Sequence, residues 1–214
     1  MKTNREYRAA ACETLNGQWN EVVLMSAVIF ALIALFGAPE AIIKNSSLLE
    51  FFSGTYLVAA MLLIAPLEYA MYCVFLLMVR HSLNEKPQVT AMWQLFKNDF
   101  ARSVPVILLM TIVVTLISIP TLLIGGIILG YAYKMVPFLM HDYPELSTRE
   151  VLRTSREMMR GHKWDLFLLE LSFLGWGLLS ILTLGIGLLW LTPYIYAAEA
   201  HFYEDLKAET IVEE

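Results

Sequence analysis

Three ionisable side chains lie inside long apolar runs, where each costs a few kcal/mol unless it is paired or hydrated. Glu68 lies near the middle of one run. Lys134 and Glu170 lie roughly 10 Å from the same end of two consecutive runs, at about 1.5 Å per helical residue. This depth allows an ion pair between them. The pattern predicts either a pair that locks helices together or a polar pocket open at that end.

Glu68 is the most specific single candidate because it is flanked by tyrosines. One interpretation is a proton or cation site. The other is a neutral carboxyl group that donates a hydrogen bond to a tyrosine, since a desolvated carboxyl tends to stay protonated. The candidate intramembrane polar site as a whole comprises Glu68, Tyr69, Tyr72, Tyr131, Tyr133, Lys134, Glu170 and Glu199.

The elements that must position these residues are transmembrane helices. Of the 214 residues, 58% are hydrophobic and 16% are charged, whereas a soluble domain has about 45–50% apolar residues. A span needs about 20 residues. The sequence predicts an all-α, polytopic membrane protein, with one membrane domain over 1–214 and a six-transmembrane-helix bundle. The predicted spans are 21–38, 55–79, 103–121, 122–140, 164–183 and 185–203.

The basic residues orient this bundle. Of the fifteen lysines and arginines, all but Lys44 fall on one side of the six predicted spans. Cytoplasmic loops carry an excess of these residues. We therefore expect a protein of the bacterial cytoplasmic (inner) membrane whose N- and C-termini are both cytoplasmic. A basic face on a soluble fold is missing, so no nucleic-acid partner is expected.

Three cytoplasmic segments are predicted to form amphipathic interfacial helices. The first covers 3–17. The second covers 88–100, where Val89, Trp93, Phe96 and Phe100 form a stripe suited to lie along the headgroups. The third begins with Ser147 and Glu150 in capping-box spacing. Its basic face either contacts anionic lipid or docks an acidic partner or a phosphate group; its residues are Arg149, Arg153, Arg156 and Arg160, with Lys163 beyond them.

Turns and close packing are marked by glycine and proline. The long apolar stretch around Pro120 predicts a tight hairpin, and glycines at 183–187 predict a second turn. Gly126 and Gly130 form a GxxxG motif. This motif indicates either helix packing within one chain or a homodimer face.

Signatures of catalysis are absent from the sequence. It contains no GxSxG, HExxH, GxxxxGK[ST] or GxGxxG motif and no paired CxxC. The four histidines are too scattered for metal-ligand spacing. We expect no enzymatic activity, no cofactor and no metal.

The C-terminal half resembles the bacterial membrane proteins of the "domain of unknown function 975" family. The resemblance covers nearly the whole chain, strongly over 131–206 and weakly over 20–125. It implies the architecture and leaves the function open. The residues that carry it are Tyr131, Tyr133, Met135, Pro137, Asp142, Pro144, Ser147, Ser155, Met159, Gly161, Lys163, Phe167, Gly175, Trp176, Thr183, Gly185, Gly187, Trp190, Pro193, Tyr194, Ala198, Phe202, Tyr203 and Leu206, with Ala11, Leu15, Gly17 and Trp19 near the N-terminus.

Taken together, these features predict a non-enzymatic membrane binding or scaffold protein for a lipid, a small amphiphile or a partner protein. Tyrosines and charges within apolar spans are typical of a partly polar cavity. The alternative is a small secondary transporter or channel subunit that uses Glu68 and an inner-leaflet polar pocket. The expected partners are membrane lipids, with a homodimer or another membrane protein as further options.

Overall fold

The computed structural model describes residues 1–42, 47–80, 89–119, 121 and 124–212, with side chains described outside 35–62 and 210–212. Within these ranges the chain is helical and contains no strand, so the all-α prediction is confirmed there. The helices are α1 Asn4–Leu15, α2 Trp19–Ile42, α3 Ser47–Val79, α4 Val89–Ser118, α5 Ile124–Ala132, α6 Val136–Asp142, α7 Thr148–Met158, α8 Lys163–Leu171, α9 Leu174–Leu182 and α10 Leu188–Val212. Lys44, Lys86 and the predicted hairpin at Pro120 lie outside the described residues.

Within the described residues, fewer helices than the six predicted are long and apolar enough to cross a membrane. In the described ranges, two helical stretches are long and apolar enough to cross a membrane, Val89–Ser118 and Lys163–Leu182. A third is present if Asn4–Leu15 and Trp19–Ala34, which meet at a bend of 99°, are taken together. The apolar part of α3 with described side chains, Leu63–Val79, is shorter.

Two of the predicted spans differ from the helices of the structure for a physical reason. The run at 122–140 is divided at Tyr133–Met135 into α5 and α6, of nine and seven residues. The run at 185–203 belongs to α10, which continues to Val212 and contains several charged side chains. The break between α5 and α6 interrupts the first run. The charged side chains of α10 make the helix that contains the second run less apolar.

The predicted interfacial helix at 88–100 is not a separate element. It is the first part of α4, which runs without a break for 30 residues, a length of about 45 Å at 1.5 Å per residue. Its aromatic stripe is nevertheless preserved on one face. Trp93 stacks on Phe96 with ring centroids 5.0 Å apart, and Phe96 contacts Phe100.

The predicted helix at 3–17 is present as α1. Thr3 and Glu6 form a capping box at its start, and Gly17 lies after its end with φ of +76°. Tyr7, Ala11 and Leu15 are buried at intervals of four residues. They pack α1 against α10, so its apolar face is covered by protein.

The centre of the bundle is α10, which packs against α1, α2 and α3. Ala197, Ala198 and Ala200 are fully buried there, and their small side chains let neighbouring helices approach closely. On the other side of α3 lies α4, which in turn contacts α5 and α7. The junction of α5 and α6 therefore lies beside α3, α4 and α10, where the polar site is built.

Glycines are required at one close helix contact and in one turn. A Cβ on Gly126 would lie 1.8 Å from the Ser118 hydroxyl oxygen, so this residue lets α5 pack on α4. The predicted turn at 183–187 is confirmed: Leu184 and Gly185 have φ of +54° and +86°. Gly126 thus packs within the chain, whereas a Cβ on Gly130 would meet no atom within 4 Å, and the homodimer face stays a prediction.

The outer surface of α5, α8 and α9 is apolar. Large side chains such as Ile127, Leu171 and Leu182 are exposed there, and Leu184 in the following turn is 95% exposed. Monomeric soluble proteins rarely expose a continuous apolar patch of this kind. The surface is typical of a protein face that contacts lipid.

Candidate functional site

The break between α5 and α6 places Lys134 among carboxylates from two other helices. Its amine lies 3.0 Å from Glu170 Oε1 of α8 and 3.0 Å from Glu199 Oε1 of α10. Tyr131 donates a hydrogen bond of 2.6 Å to the other oxygen of Glu170. The Lys134–Glu170 pair that the sequence allows is thus present, and Glu199 joins it from α10.

Glu199 is the most buried member of this cluster, with 1% of its side chain exposed. From the part of the chain that the structure describes, no hydrogen-bond donor reaches its Oε2 atom. Lys134 therefore ion-pairs with two carboxylates at once, yet within the described residues Glu170 Oε1 and both oxygens of Glu199 have no hydrogen-bond partner. Such a group is costly to bury unless a proton, a water molecule or a ligand completes it.

A cavity of about 340 Å³ lies between α3, α4 and the α5–α6 junction. Glu68 and Lys134 supply its ionisable groups, and Gly130 lies on its wall. A Cβ on Gly130 would meet no atom within 4 Å, so this wall is open. The remaining lining residues are Ala65, Tyr69, Tyr72, Ile107, Met110, Thr111, Val114, Thr115, Tyr133, Val136, Pro137 and Met140.

The four tyrosines of the predicted site make different contacts. Tyr69 donates a 3.3 Å hydrogen bond to Asp99 of α4, so it joins α3 to α4 at the cavity. Tyr72 packs against Tyr196, with ring centroids 4.4 Å apart. Tyr131 is hydrogen-bonded to Glu170. Tyr133 lines both the cavity and a second, basic cleft.

That second cleft has a volume of about 240 Å³ and is lined by arginines of α7. The predicted capping box is confirmed: Ser147 and Glu150 hold the N-terminus of this helix. Arg149, Arg153 and Arg156 line the cleft with Val113, Tyr133 and Leu152. We call it the arginine cleft.

The prediction of four arginines on one helix face is wrong at its last member. α7 ends at Met158, so Arg160 lies in the turn beyond it, and Lys163 begins α8. The positive φ of Gly161 marks this turn. The 3.6-residue period breaks with the helix, which leaves three arginines at the cleft.

A partly buried ion-pair network around Asp142 was missed by sequence reasoning. Arg80 donates two hydrogen bonds to its carboxylate, at 2.6 and 2.7 Å. Tyr203 and Lys207 of α10 donate to the same Oδ2 atom at 2.8 and 2.6 Å. Arg80 also contacts Glu204 at 2.6 Å. The network joins the ends of α3 and α6 to α10, at the same end of the bundle as the Lys2–Asp205 pair.

The ionisation of Asp142 follows from these contacts. Burial raises its pKa, but the hydrogen bonds from Arg80, Lys207 and Tyr203 outweigh burial and hold the pKa well below its usual range. The carboxylate is therefore charged at neutral pH. Among the residues that the structure covers, no group of three His, Cys, Asp or Glu side chains is placed to hold a metal ion.

Comparison with known proteins gives a family and no characterised relative. Residues 112–210 match the family model described as "Protein of unknown function (DUF975)". No curated protein and no solved structure matches the chain. The matched segment includes 131–206, where the resemblance is strongest, and it contains Lys134, Asp142, Glu170 and Glu199 but not Glu68. The match over residues 112–210 supports membership of the DUF975 family.

Proposed function

We propose that this protein crosses the bacterial inner membrane six times, with both termini in the cytoplasm. The distribution of lysine and arginine supports this topology. It is also supported by the stretch from α5 through α6: although broken, it covers 124–142, about 28 Å at 1.5 Å per residue, close to the thickness of a bilayer core. Segments expected in the cytoplasm lie together at one end, as in the Lys2–Asp205 and Arg80–Asp142 pairs.

Its proposed function is to bind a lipid or small amphiphile without catalysis. The observation that supports this most is the cavity beside Lys134, whose volume of about 340 Å³ is ligand-sized. Ile107, Met110 and Val114 make one wall apolar, while Glu68 and Lys134 offer charge. A molecule with an apolar tail and a polar head satisfies both parts of this lining.

Filling the cavity tests the proposal. Gly130→Leu adds a side chain into open space and creates no contact under 4 Å at its Cβ. In vesicles containing a phospholipid with a diazirine on its acyl chain, we expect the wild-type chain to crosslink at cavity residues of α3 and α4. The variant is expected to crosslink there about tenfold less, a change of ~1.4 kcal/mol in binding.

Gly175→Leu is the matched control. Gly175 also has no atom within 4 Å of a built Cβ, but it does not line the cavity. Its crosslinking at the cavity should equal that of the wild type. Equal crosslinking of both variants, or a wild-type pattern that is spread evenly over the outer surface, would show that the cavity holds no acyl chain.

The second candidate is a small secondary transporter or channel subunit that uses Glu68. It is favoured by one observation: a single lysine, Lys134, pairs with Glu170 and Glu199 and interacts electrostatically with Glu68. Carboxylates in excess of their counterions within apolar segments are typical of proton or cation pathways. Single cysteines along the cavity, in a chain with Cys12 and Cys73 replaced by alanine, can be labelled with a water-soluble reagent. Labelling beyond Lys134 from both faces favours transport, and labelling that stops at Lys134 excludes it.

A further inference from the structure

The arginine cleft combines unneutralised positive charge with an apolar floor. Arg156 donates a 2.8 Å hydrogen bond to the Tyr133 hydroxyl, a neutral partner. Arg153 is paired with Glu157 at 2.9 Å. Over the described ranges, no carboxylate lies within ion-pairing distance of Arg149 or Arg156. Two guanidinium charges at the cleft are therefore free to bind an anion.

The surroundings of the cleft indicate what kind of anion fits. Val113 and Leu152 form part of its lining. On α4, Ile112 precedes Val113 directly and Leu116 lies three residues after it, and their side chains are 60% and 69% exposed. An anion that carries an apolar chain covers both the charges and this strip of α4. A small inorganic anion covers only the charges.

We propose that the arginine cleft binds the phosphate of an anionic phospholipid headgroup, with the acyl chains along α4. Guanidinium groups recognise phosphate oxygens through charge-assisted hydrogen bonds, which makes arginine well suited to this contact. The inference rests on the membrane embedding proposed above. It does not depend on whether the cavity beside Lys134 is occupied.

The test measures lipid selectivity. The full chain is placed in nanodiscs of equal phosphatidylglycerol and phosphatidylcholine, and the lipids it retains are counted by native mass spectrometry. We expect phosphatidylglycerol to be enriched on the wild-type chain. In the double variant Arg149→Gln/Arg156→Gln the enrichment should fall about fivefold for each arginine removed.

Three control variants distinguish the loss of positive charge from a change in the structure of the cleft. Arg160→Gln removes a nearby arginine that does not line the cleft, and its enrichment should match the wild type. Tyr133→Phe removes the partner of Arg156 but no charge, so most of the enrichment should remain. Arg149→Lys/Arg156→Lys keeps both charges and should retain more enrichment than the glutamine pair. A common thermal unfolding midpoint shows that the variants are folded.

Two results would overturn the proposal. One is undiminished enrichment in a folded Arg149→Gln/Arg156→Gln chain. The other is displacement of the bound lipid by excess inorganic phosphate, which would assign the cleft to a free anion. Gly130→Leu is expected to leave the enrichment unchanged. The lipid-binding proposal for the cleft can therefore fail while the cavity proposal holds, and the reverse.

Discussion

Asp142→Asn is expected to lower the free energy of unfolding by about 3 kcal/mol, because it removes the buried carboxylate at the centre of a partly buried ion-pair network. The Asp142 side chain is 4% exposed and accepts hydrogen bonds from Arg80, Tyr203 and Lys207. Asparagine keeps the size but removes the counterion that Arg80 shares with Lys207, while Arg80 keeps its contact with Glu204. Unfolding in mixed micelles, titrated with a denaturing detergent, measures the loss.

The control for Asp142 is an exposed ion pair on the same molecule. The side chains of Arg153 and Glu157 are 79% and 53% exposed, so Glu157→Gln should change stability by no measurable amount. If Asp142→Asn also leaves the free energy of unfolding unchanged, the network does not hold the helix ends together. In a double-mutant cycle with Arg80→Gln, the two losses should not add.

The same network predicts how stability depends on pH. Because the pKa of Asp142 is lower in the folded chain than in the unfolded chain, its contribution is fully present above the unfolded value near pH 4 and is lost as the pH falls through the folded value. The gap between wild type and Asp142→Asn should stay constant from pH 7 to about pH 5 and close in stronger acid.

Lys134→Met carries the second large expected effect, a loss of about 3 kcal/mol in unfolding free energy. The amine is the ion-pair partner of both Glu170 and Glu199, each at 3.0 Å. Methionine fills a similar volume but leaves two carboxylates without a counterion. The same detergent titration measures this loss.

Removing the buried acid together with the lysine tests the cause. In Lys134→Met/Glu199→Gln the least exposed carboxylate is neutral, so about half of the lost stability should return. Lys134→Arg keeps the charge and should lose less than the methionine variant. If the double variant is no more stable than Lys134→Met alone, the loss comes from packing and not from unpaired charge.

Local sequence signals predicted part of this structure well. The predicted capping box at Ser147 lies at the start of a helix, and the glycine-marked turn at 183–187 is present. Such features depend on neighbouring residues alone. The depth of Lys134 and Glu170 in consecutive runs also sufficed to predict that they can pair, because short connections keep successive helices adjacent.

Features that depend on distant residues could not be predicted. The participation of Glu199 requires α10 to pass beside the α5–α6 break, which no local pattern encodes. Arg80 and Asp142 each follow an apolar run and looked like separate charges at helix ends. The continuity of α4 was missed because an aromatic stripe at 88–100 fits an interfacial helix as well as the start of a long one.

The proposed binding function is tested most directly by identifying what the wild-type chain carries out of its own membrane. Native mass spectrometry after gentle extraction, with bulk lipid stripped by collisional activation, gives the mass and stoichiometry of any retained molecule. Beyond the phospholipid proposed at the arginine cleft, we predict one further amphiphile per chain on the wild type and on Gly175→Leu, and none of this further amphiphile at that stoichiometry on Gly130→Leu. A folded wild-type chain that emerges bare, or one whose bound molecule is unaffected by Gly130→Leu, would contradict binding in the cavity beside Lys134.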